Sequence, residues 1–340
     1  MKIVIDMPDV YPAGINALKL MPNVEVHCIT SAEPNLKSRP VAPDEICDAE
    51  ILFCTFPPAN LAEMRALRWV QLAGVGYEQL LGLGLSERGI KVVNCRGCLD
   101  IPIAEWNMTM MVCLARDFRQ LMHNQDLQKW DRSAVFQREI RGLTVGFWGY
   151  GGIGRETARI AVHNGLRVHV LTRSGMIKPR LNTYLVTGTG DPGGILPERV
   201  YSATEKMSFL GGLDFLVISV PLTNVTRGLI GEAELKGLRR SAYLLNPARG
   251  PIVQEGALIQ ALQENWIAGA ALDTHYHYPL PPQHALWHLP NVILTPHISG
   301  SALSTHYEKR MWDLFVQNIQ RDATGESLLN ELTAIELAGE

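Results

Sequence analysis

The sequence predicts an α/β protein with two doubly wound parallel β-sheets, on three observations. Short runs rich in β-branched residues alternate with helical patterns along most of the chain, which is the rhythm of parallel sheets. One of these runs ends in a glycine-rich turn that leads straight into a helix, as in sheets that bind dinucleotides. The chain has 340 residues, 46% of them hydrophobic, and can therefore fill two cores.

The first series of strands and helices opens with Met1-Lys-Ile-Val-Ile-Asp6, whose apolar run is too short for a signal peptide. A long apolar helix is predicted to follow the series, from about Pro102 to about Leu121. The remaining strands of this series are expected at Val24–Ile29, Ile51–Cys54, Trp69–Leu72 and Lys91–Val93.

The second series begins at the glycine-rich turn and lasts to about Pro296. An amphipathic stretch at about 302–323 then has the pattern of a helix that returns to the first series. We therefore expect two Rossmann-like domains, a dinucleotide-binding domain (102–301) inserted into a substrate-binding domain (1–101 and 302–340). Ligands are expected in a cleft between them, at the carboxyl ends of the strands.

The glycine-rich turn lies in Thr144-Val-Gly-Phe-Trp-Gly-Tyr-Gly-Gly-Ile-Gly154. Gly149 permits a tight turn, Gly151 lets the backbone approach a pyrophosphate, and Gly154 allows close packing of helix on strand. The helix N-terminus then faces the phosphate charge. The whole loop is predicted to bind the cofactor: Gly149, Tyr150, Gly151, Gly152, Ile153 and Gly154.

The next strand, Leu166–Leu171, ends in Thr172, Arg173 and Ser174, with no carboxylate. An acidic residue at this place would bind the ribose 2′-hydroxyl of NAD, whereas arginine accommodates the 2′-phosphate of NADP. The sequence therefore favours NADP, with NAD possible. The following segment, 175–212, lacks sustained periodicity and predicts a surface excursion on the nucleotide unit.

Composition excludes several other classes of protein. The net charge of −3 and the absence of a basic tract argue against nucleic acid or an anionic membrane as a partner. No apolar run is long enough to span a bilayer. Six scattered cysteines are too few for a disulfide framework, which favours the cytoplasm. Cys95 and Cys98 form one C-x-x-C without further ligands in register, so no metal site is expected.

Four motifs in the later chain, taken in order, resemble the D-isomer-specific 2-hydroxyacid dehydrogenases. The first-domain segment Leu72-Ala-Gly-Val-Gly-Tyr77 and the pair Ala104-Glu105 are similar to that family as well, so the resemblance covers nearly the whole chain. The four motifs are Val220-Pro-Leu-Thr223, Leu245-Asn-Pro-Ala-Arg-Gly250, Gly269-Ala-Ala-Leu-Asp273 and Thr295-Pro-His-Ile-Ser-Gly300.

The resemblance implies the catalytic roles. Arg249 would hold the carboxylate and polarise the carbonyl of a 2-oxo acid. His297 would protonate the developing alkoxide, or act as the base in the reverse direction. The substrate carboxylate would bind the backbone N–H groups of Gly74, Val75 and Gly76.

The resemblance also implies further cofactor contacts. Asp273 is similar to the family aspartate near the nicotinamide carboxamide, and Val220 and Pro221 would line the adenosine side. The residues expected to border the nicotinamide ribose and ring are Asn246, Ala248 and Gly300.

One position departs from the family pattern. Tyr278 occupies the place of the usual catalytic glutamate before a proline. A carboxylate beside an imidazole raises its pKa, whereas a neutral phenol does little for the cation, so we expect reductase activity to fall away at lower pH than is usual for the family. Three interpretations stay open: Tyr278 orients His297, another acid lies close in the fold, or catalysis is lost. The presence of both Arg249 and His297 favours the first. His275, Tyr276 and His277 are alternatively a polar pocket wall that selects an unusual substrate.

The favoured function is an NADPH-preferring oxidoreductase that passes hydride between the nicotinamide and C2 of a small 2-oxo or D-2-hydroxy acid. One rival is a nucleotide-binding regulator with little or no turnover. Another is an oxidoreductase that acts on a different small anion. The resemblance implies a homodimer, with the helix at 102–121 as the contact face.

Overall fold

The structure is a computed structural model. It describes residues 1–7, 11–29, 37–133, 137–301 and 304–339. The chain folds into two compact units. Unit 1 comprises Met1–Leu99, Leu181–Val186 and Ala302–Glu340, and unit 2 comprises Asp100–Arg180 and Thr187–Ser301. Unit 2 therefore interrupts unit 1 along the sequence. Residues 302 and 303, at the predicted domain boundary, lie outside the described residues.

The strands are, in chain order, β1 (Lys2–Asp6), β2 (Glu25–Cys28), β3 (Ile51–Cys54), β4 (Trp69–Leu72), β5 (Lys91–Val93), β6 (Thr144–Trp148), β7 (Arg167–Leu171), β8 (Arg199–Tyr201), β9 (Phe215–Ile218), β10 (Tyr243–Asn246), β11 (Gly269–Leu272) and β12 (Val292–Leu294). The α-helices are α1 (Pro12–Lys19), α2 (Pro43–Ile46), α3 (Asp100–Ala115), α4 (Phe118–Asp126), α5 (Gly152–His163), α6 (Lys206–Leu210), α7 (Glu232–Gly237), α8 (Glu255–Gln263), α9 (Thr305–Thr324) and α10 (Ala334–Ala338). Short 3-10 helices lie at Leu61–Glu63, Glu78–Leu80, Ala203–Glu205, Gly250–Ile252 and Ala285–His288.

The sheet of unit 1 has five parallel strands in the order β2-β1-β3-β4-β5. Ile3 pairs with Ile51, and Ile51 with Trp69, so large apolar side chains lie side by side across the sheet. Every residue of β3 and β4 is buried, as expected for a parallel sheet covered on both faces. On one face the helix α9 packs Phe315 against Phe53, with ring centroids 4.4 Å apart.

The sheet of unit 2 has seven parallel strands in the order β12-β11-β10-β9-β6-β7-β8. If the strands are numbered from β6 and read from the β8 edge, this is the order 3-2-1-4-5-6-7 of a doubly wound dinucleotide-binding sheet. The chain reverses its winding between β6 and β9, and ligands bind doubly wound sheets at such a switch point. The helices α3 and α5 pack on one face, where Asn107 donates a hydrogen bond to the Thr157 hydroxyl (3.1 Å). The predicted α/β fold class is confirmed.

Two local predictions were wrong. The helix predicted as continuous to Leu121 is divided into α3 and α4, because Asp117 has a left-handed backbone (φ 47°). The segment predicted as an excursion contains β8, the edge strand of unit 2, which is too short to show periodicity in the sequence. Part of it, Leu181–Val186, belongs to unit 1, where the Tyr184 hydroxyl donates a hydrogen bond to Asp313 (3.0 Å). Among the described residues, no helix is long and apolar enough to cross a membrane.

Candidate active site

The glycine loop of unit 2 follows β6 at the switch point. Gly149 has a left-handed backbone (φ 91°), and a Cβ there would lie 2.5 Å from the carbonyl oxygen of Ser219, just after β9. A Cβ on Gly154 would lie 3.1 Å from the Ser219 hydroxyl. At Gly151, by contrast, a Cβ would meet no described atom within 4 Å. The loop is therefore packed tightly at both ends and open in the middle, which fits the approach of a pyrophosphate.

The helix α5 starts at the open side of this loop. Its N-cap residue is Gly151, in an extended conformation, so no cap side chain takes up the backbone N–H groups of the first turn. Tyr150 points away from the loop, since its hydroxyl donates to the Asp191 carboxylate (2.8 Å) and its residue is 9% exposed. This burial, with the hydrogen bond to Asp191, raises the pKa of the Tyr150 phenol far above its usual range. Only the backbone of Tyr150 faces the loop.

The three residues after β7 lie at the neighbouring strand end. The backbone of Thr172 donates to the Tyr201 carbonyl (3.0 Å), and its hydroxyl donates to the Met176 carbonyl (3.2 Å). Arg173 and Ser174 are exposed. The Arg173 side chain is therefore accessible to an anion in solvent.

The turn after β10 carries Arg249. Buried Asn246 shapes this turn, because its amide donates to the Arg249 carbonyl (2.9 Å) while its oxygen accepts the Ala248 N–H (3.1 Å). A Cβ on Gly250 would lie 2.5 Å from the carbonyl carbon of His275, so this turn lies against the chain after β11. Arg249 is half-buried, and one of its nitrogens donates to the Ala248 carbonyl (2.8 Å).

The carboxylate of Asp273, just after β11, is fully buried and holds the loop that carries His297. It accepts hydrogen bonds from the Thr295 hydroxyl (2.5 Å) and from the N–H groups of Ile298 (2.9 Å) and Ser299 (3.0 Å). The His297 N–H donates to the Asp273 carbonyl (2.8 Å). His297 itself is exposed and has a left-handed backbone (φ 57°). Such strain persists only where surrounding bonds impose it, as they do here.

Tyr278 lies beside His297, and its ring is exposed. Its hydroxyl oxygen accepts the His275 backbone N–H (3.2 Å). His275 is buried, with its Nε2 atom 2.8 Å from the Thr295 carbonyl oxygen. Tyr276 donates its hydroxyl to the Val253 carbonyl (3.1 Å), and burial raises the pKa of this phenol above its usual range. The side chains of His275 and Tyr276 thus bond to the backbone of unit 2 itself.

In unit 1 the predicted carboxylate-binding loop follows β4. The carbonyl groups of this loop accept hydrogen bonds from other residues of unit 1. The Ala73 carbonyl accepts the Tyr307 hydroxyl, the Gly74 carbonyl accepts the Cys95 N–H (2.9 Å), and the Val75 carbonyl accepts the Asn94 amide (2.7 Å). Within the described chain, the N–H groups of Gly74, Val75 and Gly76 have no protein acceptor. This arrangement of successive N–H groups suits a carboxylate.

Sequence reasoning missed the residues that position these groups. Asn94 and Tyr307 support the loop of unit 1, and Thr295 supports the loop of His297. Trp106 adds to the second support, since its indole N–H donates to the Thr295 hydroxyl (3.2 Å). Only Thr295 carried a signal, because it begins the motif that contains His297. In the described part of the chain, no three His, Cys, Asp or Glu side chains are placed to hold a metal ion.

The fold and the loops of unit 2 define a class of protein, the dinucleotide-binding α/β proteins, here with an arginine and a histidine at the carboxyl edge of the sheet. Comparison with known proteins identifies the family. The chain belongs to the D-isomer specific 2-hydroxyacid dehydrogenase family, since residues 108–299 match the model of its NAD binding domain. The predicted family is thereby confirmed, together with the prediction of a nicotinamide-dependent oxidoreductase.

Relatives of known function agree with this assignment. The chain is 30% identical to a glyoxylate reductase of Thermofilum pendens over 321 residues. The matched region covers 92% of this chain and 89% of the relative. The chain is 33% identical over 275 residues to a glyoxylate reductase of Aeropyrum pernix, with 78% and 76% covered. A D-isomer specific 2-hydroxyacid dehydrogenase from Xanthobacter autotrophicus, solved with NADPH and MES, superposes with a TM-score of 0.78 at 25% identity, with 98% and 99% covered.

Proposed function

We propose that the protein is an NADPH-preferring reductase of a small 2-oxo acid such as glyoxylate or hydroxypyruvate, which also runs in reverse on the D-2-hydroxy acid. The observation that carries this proposal is the bonding of Asp273. Its carboxylate and carbonyl bind the loop of His297, while its N–H donates to the Asn246 carbonyl (3.2 Å) in the strand that leads to Arg249. One buried residue thus links the two loops that bear the candidate catalytic groups.

The proposed chemistry divides among few groups. Bound NADPH supplies the hydride to C2. We assign Arg249 to the substrate carboxylate and the 2-oxo oxygen, where a guanidinium stabilises developing negative charge. We assign His297 to donate a proton to that oxygen, with Tyr278 beside its ring. The N–H groups of Gly74, Val75 and Gly76 are proposed to bind the substrate carboxylate.

The two domains have separate proposed roles. Residues 102–301 bind the dinucleotide, and residues 1–101 and 302–340 bind the acid. The exposed Arg173, with Thr172 and Ser174 beside it, supports a preference for the 2′-phosphate of NADPH, with NADH as a weaker cofactor. The other residues proposed to border the cofactor are Val220, Pro221, Asn246, Ala248, Asp273 and Gly300.

We also propose that two copies associate through the surface formed by α3 and α4. Phe118 and Met122 of α4 are exposed there. Both line a groove of about 350 Å³ whose other lining side chains are largely apolar, Trp287 and Leu294 among them. Contiguous exposed apolar surface of this kind marks an interface. Sedimentation of the purified chain as a monomer would remove this proposal. The few, scattered cysteines support a cytoplasmic location.

The test of the proposed function is the loss of absorbance of reduced nicotinamide. The panel comprises glyoxylate, hydroxypyruvate, pyruvate and longer 2-oxo acids, each with NADPH and NADH. We expect turnover with at least one acid, faster with NADPH, and its loss in His297→Asn with cofactor binding retained. Dinucleotide binding without turnover on any acid would instead support the regulator. Oxidation of formate or phosphite, with no reduction of 2-oxo acids, would support the different-anion oxidoreductase.

A further inference from the structure

Gly152 requires an explanation that the dinucleotide fingerprint does not supply. The fingerprint needs glycine at 149, 151 and 154, while position 152 is unrestricted. In the structure a Cβ on Gly152 would lie 2.5 Å from Nη1 of Arg180 and 2.6 Å from Cγ of Asp100. Both groups therefore occupy the space beside the first residue of α5. The absence of a side chain at 152 makes room for a guanidinium at the open side of the glycine loop.

Arg180 is held in this position by a buried network. Its backbone N–H donates to the Pro192 carbonyl (3.1 Å). The chain on either side is bound to α5 by the buried guanidinium of Arg155, which donates to the Lys178 carbonyl (2.7 Å) and to the Asp191 carbonyl. The side chain of Arg180 is only 13% exposed. A long cationic side chain is thus largely buried at the helix N-terminus, on a backbone that is bound to its surroundings.

Of the two guanidinium groups at this place, Arg180 has many more donors left over. Arg155 donates four of its five N–H groups, to the carbonyls of Tyr150, Lys178, Asp191 and Pro192. Within the described residues, the Arg180 side chain has one hydrogen-bond partner, the Asp100 carboxylate at 3.5 Å, which is the outer limit of a hydrogen bond. A guanidinium carries five N–H donors, so most of those on Arg180 remain available to another anion.

We propose that Arg180 is a further cofactor-binding residue, which binds the pyrophosphate of the dinucleotide at the N-terminus of α5. This inference rests on the proposed function, since it assumes that unit 2 binds NADPH. A planar guanidinium binds phosphate oxygens through parallel hydrogen bonds, and the helix N-terminus adds its own positive field. The pyrophosphate is common to NADPH and NADH. Arg180 therefore strengthens the binding of both cofactors equally, whereas Arg173 discriminates between them.

The carboxylate of Asp100 is expected to compete with phosphate for Arg180. It is buried beside the same glycine and neutralises Arg180 while no phosphate is bound. When the pyrophosphate binds, that carboxylate lies close to a second anion, which opposes binding. Removal of its charge is therefore expected to leave dinucleotide affinity unchanged or to increase it. If Arg180 and Asp100 formed only an ion pair that stabilises the fold, removal of either charge would have a similar effect. If Arg180 binds phosphate, only the loss of Arg180 weakens dinucleotide binding.

The experiment measures the affinity of the full chain for NADPH and for NADH by nicotinamide fluorescence, with no acid present. We expect Arg180→Ala to weaken both by a similar factor, about tenfold to a hundredfold, the usual effect of losing a charged hydrogen-bond donor. Arg180→Lys should recover part of that loss. Arg173→Ala should weaken NADPH binding alone. Arg138→Ala, which removes an ion pair with Asp214 elsewhere in unit 2, is the matched control and should change neither affinity.

Two results would overturn the proposal: both Arg180 variants bind both dinucleotides as the parent does, or Asp100→Asn loses as much affinity as Arg180→Ala. Thermal unfolding of each variant identifies any that is misfolded, and Arg180→Lys then carries the test. Because binding is read without substrate, a parent chain that binds dinucleotide but reduces no acid defeats the proposed function and leaves the role of Arg180 decided by the variants. A parent chain that binds neither dinucleotide defeats both.

Discussion

The phenol ring of Tyr278 lies beside the imidazole of His297, with ring centroids 5.6 Å apart and planes inclined by 53°. Its hydroxyl oxygen accepts the backbone N–H of His275, so the ring is tied to the chain that follows Asp273. A neutral aromatic ring therefore stands next to the proposed proton donor. This contact supports a working enzyme in which Tyr278 positions the imidazole without stabilising its charge.

Replacement of Tyr278 by glutamate tests that account. A carboxylate beside His297 favours the protonated imidazole, which is the form that donates the proton in reduction. We therefore expect Tyr278→Glu to keep its reductase activity to higher pH than the parent, by about one pH unit. The measurement is kcat/KM for the 2-oxo acid as a function of pH. Tyr278→Phe, which keeps the ring and adds no charge, should show no shift of that size. Superimposable profiles for the parent and Tyr278→Glu would contradict the account.

Substitutions at two glycines of the loop should separate binding from folding. Gly149 is left-handed and packed against Ser219, so Gly149→Ala should lower the free energy of unfolding by about 1–3 kcal/mol. Gly151→Ala adds a methyl group in open space, so its stability should match the parent while its affinity for NADPH falls. Urea unfolding and nicotinamide fluorescence measure the two effects. Parental affinity in Gly151→Ala would show that the pyrophosphate does not approach there.

Asp273→Asn should impair both stability and turnover. An amide cannot accept all three hydrogen bonds that the carboxylate accepts, and a buried unsatisfied N–H costs about 1–3 kcal/mol. The loop of His297 is then held less firmly, so kcat should fall. Asp214→Asn is the matched control, because this buried carboxylate accepts the N–H of Thr144 (2.9 Å), the first residue of β6. It should lower stability and leave kcat near the parent value. Equal kcat losses in both variants would argue against a specific role of Asp273.

Asn94→Ala should raise the KM for the acid more than it lowers kcat. Its amide fixes the Val75 carbonyl, and without it the N–H groups of the carboxylate-binding loop lose their orientation. Asn60→Ala removes a comparable bond to the Val41 carbonyl (2.8 Å) within unit 1 and is the control. We expect a parental KM in that variant. An unchanged KM in Asn94→Ala would remove the proposed role of the loop.

The sequence by itself determined the fold class, the family and the positions of the glycine loop, Arg249 and His297. These signals are local: strand and helix periods repeat within a few residues, and turn glycines stand next to the strands that they end. Local patterns could not show the break at Asp117 or the strand β8. The first depends on one backbone angle, and the second is three residues long.

Only the tertiary structure decided which residues hold the candidate site in place. Asp273 bonds to Ser299, 26 residues further along, and Tyr307 bonds to Ala73, 234 residues earlier. Arg180 reaches Gly152 and Asp100 from a segment with no recognisable pattern. Such pairs are set by the meeting of strand ends and helix termini after the chain has folded, and their hydrogen bonds depend on ångström distances that residue spacing does not encode.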